Sequence, residues 1–220
     1  QGTRRALDYA VKARCLKFLF ISSGAVYGKQ PPEMTNIPES YLGGPDTMEP
    51  GSDYGEAKRA AEFLCSSYHT RYPNIETKIA RCFAFVGPHM PLNSHFAIGN
   101  FIRDAIHGGP VQVKGDGTPC RSYLYASDLA IWLWTILFKG QPCRPYNVGS
   151  GDPVSILETA KVIANLAHPP LAVTVARPPG SGPLQRYIPD VTRAELELGL
   201  TQKVSFADAV SRTMSFSKCG

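Results

Sequence analysis

The chain is short of long apolar stretches, of paired cysteines and of clustered charge, and each shortage removes a class of protein. The longest apolar run, Leu129 to Phe138, is interrupted by Thr135 and is about half of the roughly 20 residues a helix needs to cross a bilayer. The opening Gln1-Gly2-Thr3-Arg4-Arg5 leads into no apolar secretory segment and reads as the start of a helix belonging to a longer chain. The six cysteines, Cys15, Cys65, Cys82, Cys120, Cys143 and Cys219, form no Cys-x-x-Cys pair, and no histidine stands at zinc-finger spacing. They read as idle or buried thiols of a reducing cytoplasm, with no metal site. The net charge of +5 comes from 23 Lys and Arg against 18 Asp and Glu, scattered rather than bunched, so no nucleic-acid footprint is expected. A mild positive excess suits a polyanionic small ligand without singling one out.

What is present is an ordinary globular mixture, 43% apolar and 19% charged over 220 residues, enough for one large domain or one and a half small ones. Residues 3–13 place Ala6, Leu7, Ala10 and Val11 on one helical stripe. Lys17 to Ile21 follows as a short apolar run, the pattern of a strand buried on both faces. Residues 28–53 are rich in Pro, Gly and acidic groups and form a loop of the length usually kept for function. A second helix is expected from about Tyr54 to Tyr72, with Ala57, Ala60, Ala61, Leu64 and Cys65 as a narrow packing stripe, and a strand at Glu76 to Cys82. Helix, strand, helix, strand is the alternation of a parallel sheet with right-handed crossovers.

After Gly87-Pro88 segments shorten and Gly and Pro recur. Helices are expected at 95–107, 127–138 and 155–168, with capping boxes at Ser155–Glu158 and Thr192–Glu195. Short strands are expected at 111–114, 122–126, 145–148 and 172–176. No repeat or low-complexity tract occurs.

Two local patterns carry chemistry. In Tyr54-Gly55-Glu56-Ala57-Lys58 the Tyr and Lys are four apart, one turn apart on one helical face. A free phenol, with a pKa near 10, is too weak an acid to serve as a base at neutral pH. A lysine charge about 6 Å away, at an effective dielectric of about 20, favours the phenolate by roughly 3 kcal/mol, about two pKa units. Tyr54 then becomes a usable proton acceptor. Alone, such a pair is common by chance. Upstream, Ser22-Ser23-Gly24-Ala25-Val26-Tyr27-Gly28 ends the apolar strand. A hydroxyl at the carboxyl end of a buried strand stands where open α/β sheets hold ligands, although a plain Ser-Gly turn explains the segment as well.

Together these patterns, followed by Ala80-Arg81-Cys82-Phe83-Ala84-Phe85-Val86-Gly87-Pro88, resemble the extended short-chain dehydrogenase/reductases, the NAD-dependent epimerase/dehydratase group acting on nucleotide sugars. Further matches follow in order: Gly115-Asp116-Gly117 with Arg121, Ser127-Asp128-Leu129-Ala130, Tyr146-Asn147-Val148-Gly149, and Arg186-Tyr187-Ile188-Pro189-Asp190 with Leu198-Gly199. The resemblance implies Ser23, Tyr54 and Lys58 as the catalytic set. It implies Ser22, Tyr54, Lys58, Phe83 and Val86 around NAD, and Ala25, Ala84, Asn93, His95, Phe96, Asn100, Arg121 and Arg186 around a nucleoside-diphosphate sugar. Arg121 and Arg186 would clamp the diphosphate, a task suited to the planar guanidinium fork. A homodimer through the helices at 3–13 and 54–72 is also implied.

Three departures shape the expectation. No G-x-x-G-x-x-G turn for a dinucleotide pyrophosphate occurs, and Gly108-Gly109 and Gly180-Ser181-Gly182 read as loop glycines. Family dehydratases carry Asp-Glu directly after the Ser/Thr and decarboxylases usually a Glu at the second position; here Gly24 and Ala25 stand there. The usual substrate-touching Asn is Ala84, and the usual Arg-Asp is Arg121-Ser122.

The expected fold class is α/β. Residues 1–88 read as the second part of a Rossmann-like doubly wound parallel sheet. Residues 89–220 read mainly as a small mixed substrate lobe, with segments near 111–150 returning to the sheet domain. The expected function is NAD-dependent 4-epimerisation through transient C4 oxidation. A dTDP-glucose-type 4,6-dehydratase, a 4-keto reductase and a decarboxylase are the enzymatic alternatives, and a non-catalytic nucleotide-sugar sensor is the alternative of another class.

Overall fold

The computed structural model describes residues 1–180 and 183–218. Ser181, Gly182 and Cys219, read above as loop and thiol, lie outside the described residues. The first elements are α1 (Gly2–Lys12), β1 (Lys17–Ser23), a 3-10 turn (Gly24–Tyr27), α2 (Asp53–Arg71) and β2 (Glu76–Cys82). Then come β3 (Phe85–Val86), α3 (Ala97–Ile106), β4 (Val111–Val113), β5 (Cys120–Arg121), β6 (Leu124–Tyr125) and α4 (Ala126–Lys139). The chain continues with β7 (Pro145–Val148), β8 (Val154–Ser155), α5 (Ile156–Asn165), β9 (Val173–Val175), β10 (Arg186–Tyr187), α6 (Thr192–Leu198) and α7 (Phe206–Lys218).

Two compact units result. The first holds Gln1–Phe83, Leu129–Gly149 and Pro189–Thr201; the second holds Ala84–Asp128, Ser150–Ile188 and the residues from Gln202. The first unit is built on a parallel sheet in the order β1-β2-β7, with Lys17 beside Glu76 and Ile79 beside Pro145. Parallel neighbours need crossovers, and α2 supplies the one from β1 to β2. The strand at β1 is not buried on both faces as its apolar run suggested. It lies at an edge of the order, is half-buried along most of its length, and leaves Ile21 42% exposed. The stripe expected on α2 also moves: Gly55, Ala61 and Cys65 are buried, whereas Ala57 and Ala60 are not. Small residues at 57 and 60 satisfy a helix as well outside as inside, so composition alone misplaced the face.

The second unit packs α3, α5 and α7 around Phe101, Ile102, Ile163, Val210 and Met214, with β4 and β9 paired in parallel beside them. The expected strand at 122–126 is two pairs of residues, β5 and β6, parted by the buried Ser122 and Tyr123. Ser155 and Glu158 form the expected capping box. Thr192 does not cap: α6 starts at Thr192 itself, and Asp190 Oδ1 accepts from the Thr192 N–H at 2.8 Å. The Glu195 N–H, which the threonine was expected to serve, donates to the Val191 carbonyl at 3.1 Å instead.

Candidate active site

The site assembles at the carboxyl end of β1, all within the first unit. Ser23 closes the strand and caps the 3-10 turn, its Oγ accepting from the Ala25 N–H at 3.2 Å. That turn brings Ala25 against the first turn of α2. A Cβ on Gly55 would sit 2.6 Å from the Ala25 carbonyl oxygen and 2.7 Å from Pro45 Cγ, so the approach requires a residue with no side chain there. Tyr54 is thereby carried to the start of the helix beside the turn, 54% exposed.

Lys58 lies one turn further along α2. Its Nζ donates to the Ile21 carbonyl at 2.7 Å and stands 5.1 Å from the centre of the Phe20 ring and 5.7 Å from that of Tyr54. The backbone carbonyl and the two ring faces hold the ammonium without neutralising it. A cation fixed beside a phenol is an arrangement suited to proton transfer at the phenol oxygen.

Sequence reasoning passed over the layer underneath. Glu62, one turn past Lys58, accepts from Ser22 Oγ at 2.6 Å and from Arg81 Nε and Nη2 at 3.0 and 2.7 Å. The Arg81 guanidinium lies 4.8 Å over the Tyr27 ring, and the Tyr27 hydroxyl donates to Asn147 Oδ1 at 2.8 Å. Burial pushes the Tyr27 phenol up to about 12, so it stays a neutral donor. The available signal was the spacing: Glu62 continues the four-residue interval of Tyr54 and Lys58. The Ser22 hydroxyl, expected near a cofactor, is turned to Glu62. Phe83 joins the buried cluster of Val26, Tyr27 and Ile37, its ring 6.3 Å from that of Tyr27. Ala25 is half-buried.

The remaining expected residues belong to the second unit. Arg121 and Arg186 stand on the paired strands β5 and β10, with Arg186 beside Cys120 and Tyr187 beside Arg121. The Arg121 guanidinium donates to its neighbour's carbonyl at 2.8 Å. Val86 is buried in the core of this unit. Ala84 is half-buried and its carbonyl accepts from the Leu124 N–H. The His95 ring lies 4.1 Å from that of the exposed Phe96, and Asn100 Nδ2 donates to the Ser94 carbonyl at 3.1 Å, in the segment that also holds Asn93.

The profile of the NAD dependent epimerase/dehydratase family matches residues 1–149. The chain belongs to this family. Its relatives include UDP-glucuronic acid decarboxylase 5 of Arabidopsis thaliana, 32% identical over 209 residues, covering 95% of this chain and 60% of the relative. UDP-glucuronic acid decarboxylase 2 of the same plant is 35% identical over 206 residues, covering 93% of this chain and 44% of the relative. The chain thus spans about half the length of the curated relatives it matches. The fold is that of the UDP-glucose 4-epimerase of Thermotoga maritima solved with UDP-glucose: TM-score 0.86 at 24% identity, over 99% of this chain and 68% of that one. The family is NAD-dependent.

Among the described residues no helix is long and apolar enough to cross a membrane.

Proposed function

We propose that this chain carries the acid–base half of an NAD-dependent nucleotide-sugar enzyme and that its reaction is 4-epimerisation. The observation that carries the reading is a Tyr–Lys pair on one face of α2, set against the Ser23 end of β1, with no carboxylate on the adjoining turn. Ser23 orients the sugar C4 hydroxyl. Tyr54, ionised beside the Lys58 charge, accepts its proton and becomes a neutral phenol. NAD, when bound, supplies the two-electron oxidation at C4. Tyr54 then returns the proton as the ketone is reduced from the other face. Gly24 and Ala25 cannot transfer protons, which disfavours elimination of water. Arg121 and Arg186 are proposed to hold the diphosphate through paired hydrogen bonds.

A second reading, decarboxylation of a nucleotide uronic acid, is favoured by the names of the sequence relatives. A 4-keto uronic acid is a β-keto acid and loses carbon dioxide without help from a further carboxylate. The same three residues serve its first step. A homodimer is proposed through α1 and α2, where Tyr9 and Phe63 are 72% and 71% exposed. A reducing cytoplasm suits the free thiols of Cys15, Cys65, Cys82, Cys120 and Cys143.

The test is to incubate the full-length enzyme with NAD and UDP-, dTDP-, GDP- and CDP-sugars and to read product mass and sugar proton spectra. Unchanged mass with inverted C4 supports epimerisation. Loss of carbon dioxide supports the second reading, and loss of water overturns both.

A further inference from the structure

One stripe of α2 grips consecutive residues at the end of β1. Lys58 holds the Ile21 carbonyl and Glu62 holds the Ser22 hydroxyl, so the next residue, Ser23, follows two residues tied to α2. Glu62 is itself fixed by a two-bond fork from Arg81 on β2, the strand paired with β1. Both side chains are largely buried, 12% and 15% exposed, and Arg81 is backed by the Tyr27 ring from the turn that follows Ser23. The pair therefore touches all the elements that set the site: the end of β1, the 3-10 turn, α2 and β2. Neither residue is among those expected to touch substrate or cofactor.

We infer that Glu62 and Arg81 are a positioning pair for the Ser–Tyr–Lys set, fixing the Ser22–Ser23 end of β1 against the Tyr54 face of α2. The inference rests on the proposed function for its kinetic consequence and on geometry alone for its local one. A misplacement of about 1 Å costs on the order of 100-fold in rate, so the pair matters to turnover more than to binding.

The experiment compares Glu62→Gln, Glu62→Asp and Arg81→Lys with a control, Thr77→Val, in the full-length enzyme. Thr77 Oγ1 donates to the Cys65 carbonyl at 3.0 Å, so the control also loosens α2 on β2 while leaving the end of β1 alone. On whichever nucleotide sugar the wild type converts, Glu62→Gln is expected to lower kcat by about 100-fold with KM within about threefold. Glu62→Asp and Arg81→Lys are expected to fall between it and wild type. Thr77→Val is expected to lower Tm and keep kcat. A Glu62→Gln kcat no lower than that of Thr77→Val would overturn the inference. If the wild type converts none of the sugars, the proposed function fails and the inference is read from amide hydrogen exchange. The Ala25 amide, held by Ser23 Oγ, is then expected to exchange faster in Glu62→Gln while Ile79 and Ala80 in β2 keep their protection. No change at Ala25, or equal loss across the whole first unit, overturns it.

Discussion

Lys58 Nζ donates to the Ile21 carbonyl at 2.7 Å, which ties the cation of α2 to the edge strand beside it. Among the described residues no carboxylate pairs with the ammonium, which is placed by backbone 5.7 Å from the centre of the Tyr54 ring.

Tyr54→Phe removes the proposed proton acceptor and little else. Tyr54 is 54% exposed at the first turn of the helix, so stability is expected to hold to within about 0.5 kcal/mol. Turnover is expected to fall by about 100-fold to 10,000-fold, the usual range for losing a general base. Nucleotide-sugar affinity is expected to stay near wild type, measured by calorimetry. Full turnover in this variant would remove Tyr54 from the chemistry.

Gly55→Ala tests the close approach. The new methyl would stand 2.6 Å from the backbone oxygen of Ala25, which cannot rotate away. Destabilisation of about 1–3 kcal/mol is expected from such overpacking, together with a loss of activity larger than that of a substitution outside the packed face such as Ala57→Ser. An unchanged Tm would mean that α2 does not bear on the turn.

Much of this arrangement was legible in the residues. Four-residue spacing placed Tyr54 and Lys58 on one face, and the apolar run ended at Ser22-Ser23 as a strand should. What was missed follows from tertiary pairing. Glu62 and Arg81 stand on different elements and meet only because α2 packs on β2. Helix α7 went unassigned although Ser205 and Asp208 carry its start signal, with the Asp208 N–H donating to Ser205 Oγ at 3.3 Å. Its short apolar stripe reads as a helix only once Val210 and Met214 find the second unit's core.

Acid stability is expected to depend on Glu76. Hydrogen bonds from Lys17 and Lys78 lower its carboxyl from 4.5 to about 2. A depressed carboxyl contributes stability above its unfolded value, and this contribution is lost as pH falls from about 4.5 toward 2. Solvent keeps it modest, since Glu76 is 40% exposed. Urea midpoints at pH 6 and pH 3, conditions chosen on either side of about 4.5, are expected to differ less in Glu76→Gln than in wild type. An identical acid dependence in both would contradict the assignment.

Ser122 is fully buried, and its Oγ has no hydrogen-bond partner among the described residues. A buried hydroxyl without a partner keeps its full desolvation cost, of about 1–3 kcal/mol. Ser122→Ala is therefore expected to leave Tm unchanged or raise it. A fall of several degrees would mean that the hydroxyl is satisfied.

The central claim is that Ser23, Tyr54 and Lys58 support oxidation and re-reduction at one sugar carbon, C4. Its most direct test is conversion of UDP-glucose and UDP-glucuronic acid carrying deuterium at C4 by the full-length enzyme with NAD. Retention of deuterium at C4 of the product, under epimerisation or decarboxylation alike, is the predicted result. Product formed with its C4 deuterium exchanged for solvent hydrogen, or formed at the same rate by the Tyr54→Phe variant, would contradict it.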